Sequence, residues 1–439
     1  MLSKTSLLSF KSAIPALALV LLCFSLHAQT STSSPYSRFG LGDLQFSGFS
    51  SSYGMGGVSY GYQNDSLAPF YINNANPASH HSVRLTTFEL GLMNNLVQME
   101  TANEKFVANR TALSYFSIGF PVKKWWGMTV GINPYSNVGY KAGYSEERDS
   151  IGTVNYVYEG NGGVNELYWG NGFSYKNFAI GLNAAYLFGR SNYISRDSFP
   201  SAGNFFSTKV TRSTDYSDFY FKLGLQYKTR LFKNKWSLSL GLSYSMESDL
   251  HARYTLLAET YKYTFVEFIR DTALYAPDSS IHVTLPMMLG AGFVLRNDKW
   301  MLGADFSMQD WSRFSAFGQA GYLTNSNRVS IGMQYTPDRL ADKGSYFKRM
   351  NYRLGGRYAN THLLLASDQQ ITDMAVSFGF GMPLRKLKVG ETYNQSMLNI
   401  SFELGQRGTI ENDLIRERYF RVVLSLTLNE RWFIQRKYD

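Results

Sequence analysis

The chain is poor in cysteine. Only one of its 439 residues, Cys23, is a cysteine, and it lies in an N-terminal segment that reads as a leader. Without that segment no thiol remains. This excludes a disulfide-stapled scaffold, a thiol enzyme and a cysteine-ligated metal site. Leu22 precedes Cys23 where a lipid-anchor signal needs a small residue, so a lipid anchor is excluded as well. After the leader there is no run of the roughly 20 apolar residues that a membrane helix needs, and no linker or composition break divides the chain. The histidines His80, His81, His251, His282 and His362 have no accompanying serine motif. No catalytic residue is assigned and no enzyme activity is expected. His80 and His81 would point apart on an extended chain with no carboxylate nearby in sequence, so no metal is expected there. The Gly-rich YGMGGVSYGY follows no strand–helix unit, which leaves phosphate binding unsupported. No cofactor is expected.

What is present begins with an export signal. Lys4 and Lys11 give a positive start, Ala13 to Phe24 is a short apolar run, and Leu26-His27-Ala28 before Gln29 reads as a cleavage site. Residues 1–28 are therefore expected to be a signal peptide. Aromatic content is high, at 16%. The most informative stretch is Thr284 to Trp311, TLPMMLGAGFVLRNDKWMLGADFSMQDW. Met287, Leu289, Ala291, Phe293 and Leu295 share one parity. After the turn Arg296 to Lys299, Trp300, Leu302, Ala304, Phe306 and Met308 continue it. The opposite parity is small or polar and carries Asp305. Period two on both sides of Asn-Asp is a β-hairpin. A soluble sandwich would bury such a face equally well. Repetition of the unit behind an export signal points instead to an outer-membrane barrel.

From Val83 onward the alternation repeats about fourteen times, an even number as in bacterial barrels. The expected strands are 83–100, 106–121, 126–146, 151–175, 178–194, 205–229, 235–258, 278–296, 299–314, 326–337, 349–361, 371–383, 396–407 and 417–429. The pattern is weakest over 250–280. The fold class is thus all-β: an antiparallel transmembrane β-barrel over residues 83–439. Residues 29–82 show no period, and their aromatics argue against simple disorder. They are expected to plug the lumen. Glu89, Lys222, Asp305, Arg328, Gln334, Arg353, Arg357, Glu403 and Arg421 fall on the inward parity. A lipid-facing Arg or Lys costs about 2–4 kcal/mol at the midplane, which sorts these groups into the lumen, where they can pair with one another or with the plug. Net charge is +10, and Lys4 and Lys11 leave with the signal. The remaining basic residues sit at every second turn: Lys123-Lys124, Lys176, Lys228 to Lys235, Arg296 to Lys299, Arg385 to Lys388 and the tail Arg436-Lys437. Parity puts them on one rim with the N-terminus, expected to be periplasmic and beside anionic lipid headgroups. Nucleic acid is not an expected partner of an exported chain.

Several of these pieces resemble the long-chain fatty acid transporter family, FadL/TodX. They are GADFSMQDWSRF after LPMMLGAGF, then RVSIGMQYTPD and NYRLGGRYA, with Asn76-Pro77-Ala78 matching the family's hatch motif. The resemblance implies a fourteen-stranded barrel with an N-terminal hatch. SPYSRFGLGDL, ITDMAVSFGFGMPL and the end VVLSLTLNERWFIQRKYD look like a Bacteroidota branch similar to the PorV-like proteins of type IX secretion. Two functions follow as expectations. One is uptake or transfer of a hydrophobic, fatty-acid-like small molecule into outer-membrane lipid. The other is a non-transporting partner of a secretion or barrel-assembly complex, gripped through the segments Tyr193 to Phe206 and His251 to Ser280. An open porin is disfavoured by the bulky plug. The exit route is expected at the third strand, GMTVGINPYSNVGYKAG. Pro134 removes one ladder donor there, and Asn133, Gly139 and Gly143 loosen the same strand. The resemblance also implies a kinked third strand with a lateral opening.

Overall fold

The computed structural model describes residues 33–46, 48–65, 70–149, 151–200, 205–233, 235–263, 267–314, 322–339, 341, 345–365, 369–389 and 392–430. The expected signal peptide, residues 1–28, and the basic tail lie outside the described residues. Side chains of Arg385 to Lys388 are likewise not described.

Among the described residues fourteen antiparallel strands close into a barrel. They are β1 (Thr86–Glu100), β2 (Lys105–Lys123), β3 (Trp126–Arg148), β4 (Gly152–Tyr175), β5 (Phe178–Ser198) and β6 (Ser207–Leu231). Next come β7 (Trp236–Ser245, resuming as Ser248–Tyr263) and β8 (Glu267–Leu285, resuming as Met288–Arg296). The last six are β9 (Trp300–Asp310), β10 (Asn325–Tyr335), β11 (Asn351–Leu365), β12 (Gln369–Val389), β13 (Thr392–Arg407) and β14 (Arg416–Glu430). β14 closes the ring on β1, from Arg416 opposite Glu100 to Glu430 opposite Thr86. Closure leaves no seam edge in the hydrocarbon, where an unpaired backbone group has no water to bond.

Outward rows carry the exposed apolar side chains. Phe178, Ile180 and Leu182 on β5 continue into Phe219, Phe221, Leu223 and Leu225 on β6, and into Leu240 and Leu242 on β7. The hairpin within Thr284 to Trp311 obeys the same rule. Leu289, Phe293, Trp300, Leu302, Phe306 and Met308 face out, while Val294 and Asp305 are buried inside.

Two segments depart from the sequence expectation. His251 to Ser280 is not a loop: it builds the outer halves of β7 and β8, paired from Ser248–Leu285 up to Tyr263–Glu267. The register slips after Ile269, Thr272 and Ala276, with Pro277 and a positive φ at Asp278 in the last slip. Each slip resets the parity, so no period survives to be read. Likewise Tyr193 to Ser198 belongs to β5, which shortens the expected loop before β6. Where β8 passes Pro286 the strand is interrupted, opposite a matching break in β7 at 246–247.

The N-terminal segment from Ser33 to Ser82 is packed inside the barrel as a plug. It contains a 3-10 turn (Pro35–Arg38), a two-residue strand (Asp43–Leu44), one helical turn (Ser50–Tyr53) and a second 3-10 turn (Pro77–Ser82). Its own small core is aromatic: the Phe49 ring lies 4.7 Å from Tyr62 and 6.1 Å from Tyr71. The wall meets it through glycine. On the inner face Gly172, Gly181 and Gly224 stand in register across β4, β5 and β6, and Gly303, Gly332 and Gly355 do so across β9, β10 and β11. A methyl group on Gly224 would overlap Asn76, on Gly181 the Pro77 backbone, and on Gly332 or Gly355 the Met55 backbone. At Gly181, Gly332 and Gly355 plug backbone and wall backbone therefore touch directly, and at Gly224 the wall backbone meets the Asn76 side chain.

This predicts that Gly224→Ala destabilises the barrel by about 1–3 kcal/mol, the usual cost of overpacking. Gly356→Ala should change little, since its added methyl would meet only Ala375 O at 3.6 Å. Denaturant unfolding in detergent measures both.

Candidate functional site: the plug seats and the gap in the wall

The expected hatch motif forms a cap. Asn76 is extended, and its side-chain oxygen accepts from the Ala78 N–H while Pro77 opens the 3-10 turn. Its side-chain amide is shared among three carbonyls: Tyr60 O at 2.8 Å, Leu225 O at 3.2 Å and Leu242 O at 3.3 Å. One short side chain thus ties two plug segments to two wall strands. His80 and His81 follow on the same turn, and both rings donate to carbonyl oxygens. His80 Nε2 reaches Asn183 Oδ1 at 3.0 Å, and His81 Nδ1 reaches Ala78 O at 2.6 Å. Burial pushes both well below the ordinary histidine value, to about 4.

The inward charges divide into two sets. One set holds the plug. Asp305 accepts from the backbone N–H of Ser59 (2.6 Å) and Tyr60 (2.9 Å). Glu89 accepts from Thr427 Oγ1 at 2.9 Å and from Ser50 of the plug at 3.3 Å. Arg353 donates to Gln334 Oε1 (2.8 Å), Asn399 Oδ1 (2.8 Å) and the Tyr71 hydroxyl (3.3 Å). The other set is ionic. Glu403 takes Arg421 at 2.8 Å and Arg357 at 3.1 Å, and Arg357 also reaches Asp373 at 3.3 Å. Lys222, 2% exposed, has its ammonium 5.9 Å from the Tyr220 ring centre. Arg328 lies 3.9 Å over the Phe46 ring and donates to Ser330.

The sequence reading did not single out Asp43, Asp373, Arg407 or Glu417. Arg407 joins plug to wall through Asp43 (2.6 Å) and Glu417 (2.7 Å), and it donates to Ser34 Oγ at 2.6 Å. Parity would have put Asp373, Arg407 and Glu417 inside. Nothing in the aperiodic plug signals Asp43.

The wall changes at β3. Pairing of β2 with β3 runs from Lys123–Trp126 to Phe116–Ile132 and, among the described residues, goes no further. Beyond it the β3–β4 register slips between Pro134 and Ser136. Residues 136–140 of β3 are then buried at both parities while the strand stays paired with β4 as far as Arg148. Asn133, at the turning point, donates to Glu166 Oε2 (3.0 Å) and accepts from Asn74 (3.3 Å). The free edge of β3 is taken by the plug. Gly139 O accepts from the N–H groups of Ser33 (2.7 Å) and Ser34 (2.9 Å), and Tyr135 O accepts from Gln45 N–H at 2.9 Å. Asp43 pairs with Asn137 and Leu44 with Ser136. A cavity of about 360 Å³ lies at this gap, lined by Leu113 of β2, Pro134 and Asn137 of β3, and Phe46 and Tyr53 of the plug. It shares Phe46, Tyr53, Asn95 and Arg421 with a second cavity of about 270 Å³, which is lined by Lys222, Arg328, Arg357 and Arg407.

Among known families, the model of one called BamG matches residues 10–439. The chain belongs to the BamG family. Solved structures similar to this BamG-family chain include the P. putida toluene transporter TodX, at 17% identity and TM-score 0.57, with 89% of this chain and 100% of that one covered. A Pseudomonas aeruginosa FadL homologue is 14% identical with TM-score 0.56, covering 88% and 99%. The CymD monoaromatic hydrocarbon channel is 16% identical with TM-score 0.51, covering 90% and 99%. No curated protein matches. At these identities the likeness fixes the fold: this BamG-family protein is a FadL-like outer-membrane barrel.

The plug histidines give a pH test of seating. Their seated values lie below the ordinary 6.5, at about 4. Seating is therefore fully stabilised above pH 6.5, and that stability is lost as pH falls from 6.5 through about 4. The loss is on the order of 3 kcal/mol per histidine. The melting temperature should drop over this window, and the drop should be smaller in the His80→Gln/His81→Gln variant.

Proposed function

We propose that this BamG-family barrel passes small hydrophobic or amphipathic molecules sideways, from its plugged lumen into outer-membrane lipid. Short turns of bacterial barrels face the periplasm and long hairpins face outward. In that orientation the tall β3–β8 hairpins surround the entrance, and Thr86, where the plug gives way to β1, is at the periplasmic end. Ser33 and Ser34 lie in the outward half against Gly139 and Glu417, not at the periplasmic rim expected from sequence. The observation that carries the reading is a cavity at the interval where, among the described residues, β2 and β3 are unpaired, next to a second cavity with which it shares Phe46, Tyr53, Asn95 and Arg421. An apolar molecule leaving there never crosses periplasmic water. TodX, a toluene transporter, and CymD, a monoaromatic hydrocarbon channel, share the fold and support this chemistry. The proposal assigns the molecule no catalysis and no cofactor. Asn133, Pro134 and Gly139 mark the exit, and the lining cations would favour a ligand with one polar end.

A second reading is a non-transporting partner of a secretion or barrel-assembly complex. It is favoured by the outer β7–β8 hairpin, which exposes Phe268, Ile269, Leu274 and Tyr275. Binding through that hairpin would need no gap in the wall.

Cysteines at Tyr135 and Ala112, joined by a cleavable bifunctional reagent, should block uptake of a hydrophobic fluorescent probe. Cleavage should restore it, and the barrel should remain folded throughout. Uptake that continues with the wall locked would rule out lateral exit. A stoichiometric protein in a pulldown from solubilised membranes would then favour the second reading.

A further inference from the structure

The outside of the barrel carries a second kind of site, near the rim of short turns. An apolar groove of about 860 Å³ runs over β4 to β7, lined by Phe173, Phe178, Ile180, Leu225, Leu240 and Leu242. Its rim end is aromatic. The Phe178 and Tyr227 rings lie 4.8 Å apart, and Trp125 lies 6.2 Å from Phe173. Lys176 itself lines the groove, with its ammonium 5.4 Å from the Tyr175 ring, and the Lys123 ammonium lies 5.5 Å from the Trp125 ring.

The charge around this end is one-sided. Three consecutive short turns present Lys123 and Lys124, then Lys176, then Lys233 and Lys235. Among the described residues, none of these five makes an ion pair with a carboxylate. The opposite rim behaves differently. There Lys141 pairs with Glu159, Arg190 with Asp215, Lys209 with Glu267 and Arg416 with Glu100. Cations left without acids, at the mouth of an apolar groove at hydrocarbon depth, need a partner that brings both a negative head and apolar chains.

We infer that this groove binds one anionic glycerophospholipid, its acyl chains against Ile180, Leu225 and Leu240 and its phosphate between Lys123 and Lys176. The aromatic rings sit where an acyl chain gives way to a headgroup, the level at which Tyr and Trp are favoured. Lysine near such a surface attracts anionic lipid. A comparable apolar groove on another stretch of the outer face, of about 870 Å³, is lined by Gln98, Gln406 and two cations, Arg418 and Arg357, the latter already paired with Asp373 and Glu403. It lacks the charge complement and is not assigned a ligand.

The test is native mass spectrometry of the full barrel in mild detergent, with phosphatidylglycerol and phosphatidylcholine of equal chain length supplied together. One phosphatidylglycerol should be retained, several-fold over phosphatidylcholine. Lys123→Gln/Lys176→Gln should abolish the preference while heat-modifiable gel mobility stays intact. Ile180→Trp should lower retention of both lipids by filling the groove. Equal retention of the two lipids by the parent protein would overturn the proposal. So would a preference that survives loss of both lysines. A dimer that persists in excess phosphatidylglycerol would assign the groove to a second copy of the chain.

Discussion

A backbone in hydrocarbon has only itself to bond with. Among the described residues, thirteen of the fourteen strand-to-strand boundaries meet that demand by continuous or nearly continuous pairing. The β2–β3 boundary does not, because Pro134 and the slip beside it turn β3 inward above Ile132. Its orphaned edge is then satisfied by the N–H groups of Ser33, Ser34 and Gln45 and by the pairing of Asp43 and Leu44. The plug is thus part of the hydrogen-bond ladder, and the Arg407–Asp43 pair fixes this segment to the far wall.

Charge follows from the same shortage of water. A guanidinium or carboxylate cannot face lipid cheaply, so the inner face collects them, and the plug gives them partners. Asp305 is matched by two backbone donors, and Glu403 by two guanidiniums. One of the two cavities lies beside Lys222 and Arg328, for which no ion pair is seen among the described residues. Its lining is cationic and aromatic together.

Most of the wall was legible in the sequence because period two is a direct image of two solvents, lipid on one face and the packed lumen on the other. Asp305, Arg353 and Glu403 could be placed inside from parity alone. Pro134 was legible because a missing donor is a property of one residue. What could not be read depended on residues far apart or on broken register. Asp43 and Arg407 are separated by 364 positions. The outer β7–β8 hairpin hides its strands behind three slips. The glycine seats show no period of their own, since a glycine on the inner parity looks like any small residue until the Pro77 and Met55 backbones are found against it.

The plug touches wall strands around nearly the whole ring: β1 and β14 through Glu89 and Asn429, β6 and β7 through Asn76, β9 through Asp305, and β10 and β11 at Met55. Barrel diameter grows with strand number. One added hairpin would carry opposite seats apart by more than a methyl-free backbone contact can follow, and one lost hairpin would crush them. The N-terminal segment is therefore a gauge of circumference. It fits fourteen strands, and duplication or deletion of a hairpin, a common route by which barrels diversify in size, is closed to this chain unless the gauge changes with it.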